Sequence, residues 1–126
     1  MEKEIISTKN APSVLGPYSQ AVRAEGFLFI SGQLPIDPST GKLVEGDVGE
    51  QTRRMLENIK AILEAAGSSL DRVVKVSVYI RDMEDFPAMN GIYGQYFTES
   101  FPARCCVQVA KLAINARVEI EAVAIC

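Results

Sequence analysis

The chain has no histidine. Its absence removes the Ser-His-Asp and Cys-His nucleophile arrangements and the HExxH metalloprotease site. Acid–base work near neutral pH then falls to carboxylates, tyrosine, cysteine, water or the substrate itself. Cysteine is scarce as well, with only Cys105, Cys106 and Cys126 in 126 residues. An odd number, two of them adjacent, makes a poor disulfide framework, and no pair has the C-x-x-C spacing of a structural zinc site. No apolar run approaches the ~20 residues that span a bilayer. Met1-Glu2-Lys3-Glu4 leads into a short apolar pair and not a signal-peptide core, so the expected compartment is the cytoplasm. A basic stripe is also missing: the net charge is −3, and the closest cationic cluster, Arg53-Arg54, falls in a predicted helix. With no surface to track phosphates, nucleic acid is not an expected partner.

What remains is an ordinary globular composition, 48% apolar and 23% charged. No repeat, low-complexity tract or linker interrupts it, so residues 1–126 are expected to form one domain. A domain of this size buries roughly two-thirds of its unfolded surface. Ile5-Ile6 suits a short edge strand. Residues 19–24 and 27–31 read as a hairpin turned at Glu25-Gly26, and 35–41 as a turn-rich connection. Asp47 with Glu50 has capping-box spacing. The helix after it places Met55, Leu56, Ile59, Ile62, Leu63 and Ala66 on one face, before Gly67 as a left-handed stop. Residues 72–80 form a strand with Val74, Val76, Val78 and Ile80 on one side and Lys75, Ser77 and Tyr79 on the other. Asp82-Met83-Glu84-Asp85 opens a second helix reaching about Phe97, and Pro102 ends any helix before the next strand. This order predicts an α+β domain: one mixed, mostly antiparallel sheet with two helices packed on one face. The other face is left uncovered, and apolar positions on it would mark an interface.

The chemistry concentrates in the last two strands. Alternation points Arg104, Cys106 and Gln108 one way and Cys105, Val107 and Val109 the other. Glu119 and Glu121 share a face opposite Val118 and Ile120. A hairpin over 111–116 with Ala110 opposite Arg117 would bring the Arg104/Cys106 face and the Glu119/Glu121 face together, and a one-residue slip would part them. Charge in apolar strands calls for a partner. Arg104 fits either a salt bridge at a sheet edge or a bidentate clamp on a carboxylate. Glu119 and Glu121 fit solvated carboxylates, partners of Arg117 or Lys111, or an acid–base group. Cys106 lacks a histidine to form a thiolate pair, although Arg104 nearby could lower its pKa, and Cys105 is expected in the core. One cation, one thiol and a carboxylate on a single face would suit a small substrate carrying its own carboxylate.

Pro102-Ala103-Arg104, the apolar run behind it and Val118-Glu119-Ile120-Glu121-Ala122 closely resemble the signature of the Rid family. These are the reactive-intermediate (enamine/imine) deaminases, earlier named for YjgF and for translation inhibitors. Gly16-Pro17-Tyr18-Ser19-Gln20-Ala21 is similar to the family's GPYSQA block, Ile30-Ser31-Gly32-Gln33 to its SGQ block, and residues 58–67 to its first helix and glycine stop. The resemblance runs nearly end to end. It implies a chorismate-mutase-like fold, assembly as a homotrimer and sites in the clefts between subunits. The activity it implies is hydrolysis of 2-imino or enamine acids, such as 2-aminoacrylate/2-iminopropanoate and 2-iminobutanoate, to the 2-keto acid and ammonia. No metal or organic cofactor is implied. On the matching positions, Arg104 holds the substrate carboxylate and Glu119 positions or activates water near the imine carbon. Ser31, Gly32 and the Cys106 backbone N–H assist, while Tyr18 and Phe86 line the cleft, Phe86 from a neighbouring subunit. By residue type alone, Tyr18 is equally an ordinary loop tyrosine and Phe86 a core residue. Ribonuclease activity and translation inhibition, attributed to some relatives, are disfavoured by the acidic balance and the missing histidine. A trimer that senses keto or amino acids for a partner would use the same pocket without turnover.

Overall fold

A computed structural model describes residues 2–126; Met1, the first residue of the segment compared above with a signal peptide, lies outside them. Strand β1 (Glu4–Ile6) pairs antiparallel with β2 (Ala21–Ala24), which turns into β3 (Phe27–Gln33). The two-residue turn has Glu25 at φ 54° and Gly26 at φ 82°. Two consecutive left-handed residues match the right-handed twist of a hairpin, which is why glycine is placed there. The turn-rich connection folds on itself as a two-stranded sheet, β4 (Ile36–Asp37) with β5 (Lys42–Leu43). Asn58 fastens the start of this excursion by donating to the Leu34 and Ile36 carbonyls at 3.1 and 2.9 Å.

Helix α1 (Val48–Ala65) begins where the Asp47 carboxylate accepts the Glu50 N–H at 2.9 Å and is followed by Gly67 at φ 78°. Met55, Leu56, Ile59, Ile62 and Leu63 are all fully buried. Each such side chain contributes roughly 1.5–3 kcal/mol by leaving water, so this stripe anchors the helix to the sheet. Asp47→Ala should cost about 1 kcal/mol by orphaning a first-turn N–H. The measurement is the urea midpoint at one fixed protein concentration, and an unchanged midpoint would show the cap to be idle.

Strand β6 (Val73–Ile80) follows, then a 3-10 turn over Met83–Asp85, helix α2 (Phe86–Tyr96), β7 (Ala103–Gln108) and β8 (Val118–Ile125). The expected start of the second helix at Asp82 is thus a 3-10 turn that feeds α2 four residues later. In β6 a register shift between Val73 and Lys75 leaves Val74 exposed and puts Val73 in the core, so Val74 does not join the Val76, Val78 and Ile80 face. The six-stranded order is β1-β2-β3-β8-β6-β7, antiparallel throughout except β6 with β7. Both helices join the core on one face, as expected of the α+β arrangement. Among the described residues no helix is long and apolar enough to cross a membrane.

A larger departure concerns the last two strands. Strands β7 and β8 are not a hairpin, and Ala110 does not face Arg117, because β6 lies between them. Strand β6, helix α2 and β7 form a β–α–β crossover, which requires parallel strands. The link from β7 to β8 instead passes through a 3-10 turn with Ile114 and Asn115 at φ 52° and 59°, where Arg81 holds the Asn115 carbonyl at 2.9 Å. The consequence for the faces is direct. Arg104 and Cys106 register with buried Val76 and Val78, on the helix side, whereas Cys105 registers with Ser77 and, through it, with Glu121. Arg104 and Cys106 therefore do not share a face with Glu119 and Glu121. Cys105 is exposed on the open face and is not a core residue, while the half-buried Cys106 packs against the core.

Candidate active site

The residues expected to act together fall into two groups. The first lies at the end of β3. Buried Gln20 pins the N-terminal loop by accepting the Thr8 N–H at 2.8 Å and donating to the Thr8 and Pro12 carbonyls at 3.1 and 2.8 Å. That loop sets Ser19 beside β3, where its carbonyl accepts the Ser31 hydroxyl at 2.6 Å. Tyr18, next along, is 53% exposed and so offers its ring outward instead of filling the core.

Between Ile30 and Gln33 the β3–β8 register slips, a bulge that holds Ser31 and Gly32. The bulge carries the Gly32 Cα against the Glu119 side chain: a Cβ built there would fall on Glu119 Oε2 and lie 3.1 Å from its Cδ. Gly32 is therefore needed for space. Its φ is not in the left-handed region, which among the glycines is confined to Gly26, Gly41 and Gly67. Burial, and then the nearby Glu121, raise the Glu119 pKa above the usual carboxylate range. Glu121 accepts the Tyr79 hydroxyl at 3.1 Å, so its partner is a tyrosine and not Arg117 or Lys111. Arg117 instead pairs with Asp85 at 3.6 Å.

The second group surrounds Arg104 at the start of β7. Its guanidinium donates from Nη1 to Asn90 Oδ1 at 2.7 Å and lies 4.6 Å from the Tyr93 ring centroid and 5.6 Å from that of Phe86. Phe86, Asn90 and Tyr93 are spaced four and three residues apart on α2 and so form one stripe under the arginine. Asn90 and Tyr93 of this stripe, with Phe97, Phe101, Pro102 and Arg104, line an open cleft of about 380 Å³. Among the described residues Arg104 has no carboxylate partner. Neutral groups fix its plane, by cation–π contact and one hydrogen bond, and leave its charge uncompensated. The Tyr93 hydroxyl is buried with no hydrogen-bond partner among the described residues.

Cys106 sits beside this group, but burial pushes its thiol up, outweighing the opposing pull of Arg104. The thiolate that a nucleophile needs is thus disfavoured, and the expected lowering by Arg104 does not prevail. Among the described residues no three ligand-type side chains converge as they would around a metal.

The fold thus brings Tyr18, Ser31, Gly32 and Glu119 into one neighbourhood and Arg104, Phe86 and Cys106 into another, on opposite sides of the sheet. Asn90 and Tyr93 were missed from sequence. Their signal was present as helical spacing from Phe86, but nothing local said that the stripe would face Arg104.

The family model described as Endoribonuclease L-PSP matches residues 8–126. A RutC family protein of Pyrococcus horikoshii is 60% identical over 122 residues, 97% of each chain. The human 2-iminobutanoate/2-iminopropanoate deaminase is 50% identical over 123 residues, 98% of this chain and 90% of that protein. Among solved structures, a protein of the conserved Rid family from Yersinia pestis superposes with a TM-score of 0.97 at 48% identity, covering 99% of this chain and 100% of that one.

Proposed function

The chain belongs to the Rid family, also called YjgF, and on that premise we propose that it hydrolyses reactive 2-imino acids to 2-keto acids and ammonia. One observation carries the reading. Arg104 is exposed, held flat by Asn90 and the Tyr93 ring, and without a carboxylate of its own among the described residues. A structural arginine would have its charge matched by the protein. This one keeps a planar donor edge for an anion that arrives, and a 2-imino acid brings a carboxylate of matching geometry. Names of relatives about half identical to this chain, such as the human deaminase, support the substrate class.

Glu119 then acts at the imine carbon. As the water oxygen bonds to C2 of the protonated imine, the C=N electron pair moves to nitrogen and the Glu119 carboxylate takes one water proton, leaving a neutral carbinolamine. The Glu119 carboxyl returns that proton to the amine nitrogen, the C–N bond breaks with its electron pair leaving on nitrogen, and the remaining hydroxyl passes its proton to the departing ammonia as the ketone forms. The products are keto acid and ammonium.

Since Arg104 and Glu119 lie on opposite faces of one chain, the clamp and the base come from different copies of it. The open face suits such an assembly. It exposes Ile5, Phe27, Phe29, Val107 and Ile125, a large apolar area for a monomer. A homotrimer that covers this face would complete three sites between subunits. The net charge of −3 without a basic stripe speaks against an RNA-directed role.

The test generates 2-aminoacrylate with a dehydratase and follows the decay of the enamine absorbance. Added protein should speed the decay in proportion to its concentration. Unchanged decay by a folded oligomer, with keto acid binding retained, would replace hydrolysis with a sensing role.

A further inference from the structure

The open face carries a second carboxylate that the reaction as written does not use. Glu121 stands two residues beyond Glu119, on the same side of β8. Both are half-buried, and their Cα atoms are about 7 Å apart at the usual strand rise. Tyr79 of β6 registers opposite Glu119, yet its hydroxyl reaches diagonally to Glu121 Oε1 at 3.1 Å. A hydroxyl can donate only its one proton, and burial keeps that proton on Tyr79. Among the described residues, the other titratable or charged groups on this face of the sheet are Lys75 of β6, which registers opposite Val123 and forms no ion pair there, and Cys105 of β7. Strand β3 brings Phe29, Ser31 and Gly32, none of them charged. The two glutamates are therefore unequal: one receives a hydroxyl donor, and the other packs against a bare glycine Cα.

We propose that Tyr79 and Glu121 are positioning residues for the acid–base step, with the Tyr79 hydroxyl fixing Glu121 as the ionised member of the pair so that Glu119 is the member that takes and returns the proton. The inference rests on the imine-hydrolase reading above. Two carboxylates this close do not ionise independently. A donor on one of them settles which is the anion, and the standing negative charge favours protonation of its neighbour. In the hydrolysis, Glu119 must accept a proton from water and then give it to the departing amine. A carboxyl of raised proton affinity serves both steps near neutral pH better than an ordinary one.

Glu121→Gln tests this without disturbing shape, because the amide oxygen still accepts from Tyr79. Its acid limb in the pH profile of kcat/KM should move to lower pH, since Glu119 loses its anionic neighbour, while KM stays within about twofold. Tyr79→Phe should move the limb the same way by less, because Glu121 then competes for the proton. A merely structural role would lower activity without moving the limb. Carboxyl carbon NMR of the oligomer, with assignments from Glu119→Gln and Glu121→Gln, reads the same protons without turnover. Glu119 should titrate at the higher pH of the two and fall in Glu121→Gln. An unmoved limb, or Glu121 titrating at or above Glu119, would overturn the proposal. A wild-type protein that leaves enamine decay unchanged would instead sink the imine-hydrolase reading, and the NMR titration would still decide which carboxyl holds the proton.

Discussion

Arg104→Ala should lower kcat/KM for imine hydrolysis by about a hundredfold or more, a loss of roughly 3 kcal/mol of the order that follows truncation of one partner of a hydrogen-bonded charge pair. The argument is geometric as much as electrostatic. Asn90 holds Nη1 at 2.7 Å and the Tyr93 ring lies beneath, so the guanidinium plane is set before substrate arrives. Arg104→Lys keeps the charge but loses the planar fork and the stacking surface, and should recover little. The folded state should tolerate both changes, since Arg104 is exposed and in no salt bridge among the described residues. Near-normal turnover by the alanine variant, measured as enamine decay with the melting temperature as control, would refute the clamp.

Gly32→Ala should cost about as much, roughly a hundredfold, for a different reason: misplacing a catalytic group by about 1 Å can lose that much rate. An added Cβ would fall on the Glu119 carboxylate, so the carboxylate must leave its position. Because what moves is the far end of a flexible side chain, and the φ at Gly32 is not left-handed, the fold itself should be little affected. The variant should therefore melt within a few degrees of the wild type and bind a keto acid at Arg104, yet turn over poorly. If it turned over normally, the packing of Glu119 on Gly32 would have no catalytic meaning.

How much of this could be read from the sequence depended on whether the signal was local. The Glu25-Gly26 hairpin, the Asp47 cap, the α1 stripe and the Gly67 stop each depend on residues within a turn or two, and each formed where the spacing placed it. The parity within β7 and within β8 was likewise legible: Arg104 does alternate with Cys105, and Glu119 with Ile120. What alternation could not supply was the parity between strands, because that depends on which strand lies between. Treating β7 and β8 as neighbours put Arg104 on the Glu119 face. The succession of Val73–Ile80, Phe86–Tyr96 and Ala103–Gln108 was the missed clue, since strand, helix and strand at that spacing make a parallel crossover and set β7 beside β6. The pairing of Tyr79 with Glu121 was out of reach for the same reason, as it needs the β6–β8 register.

The separation of Arg104 from Glu119 within one chain makes subunit mixing the most direct measurement. Arg104→Ala and Glu119→Gln proteins, each inactive alone, would be denatured together in equal amounts, refolded and assayed for enamine decay. If each site takes its arginine from one copy and its glutamate from the next, random assembly should restore about a quarter of wild-type activity. No recovery, from a mixture shown to contain mixed oligomers, would mean that the two residues do not serve one reaction in sites shared between copies.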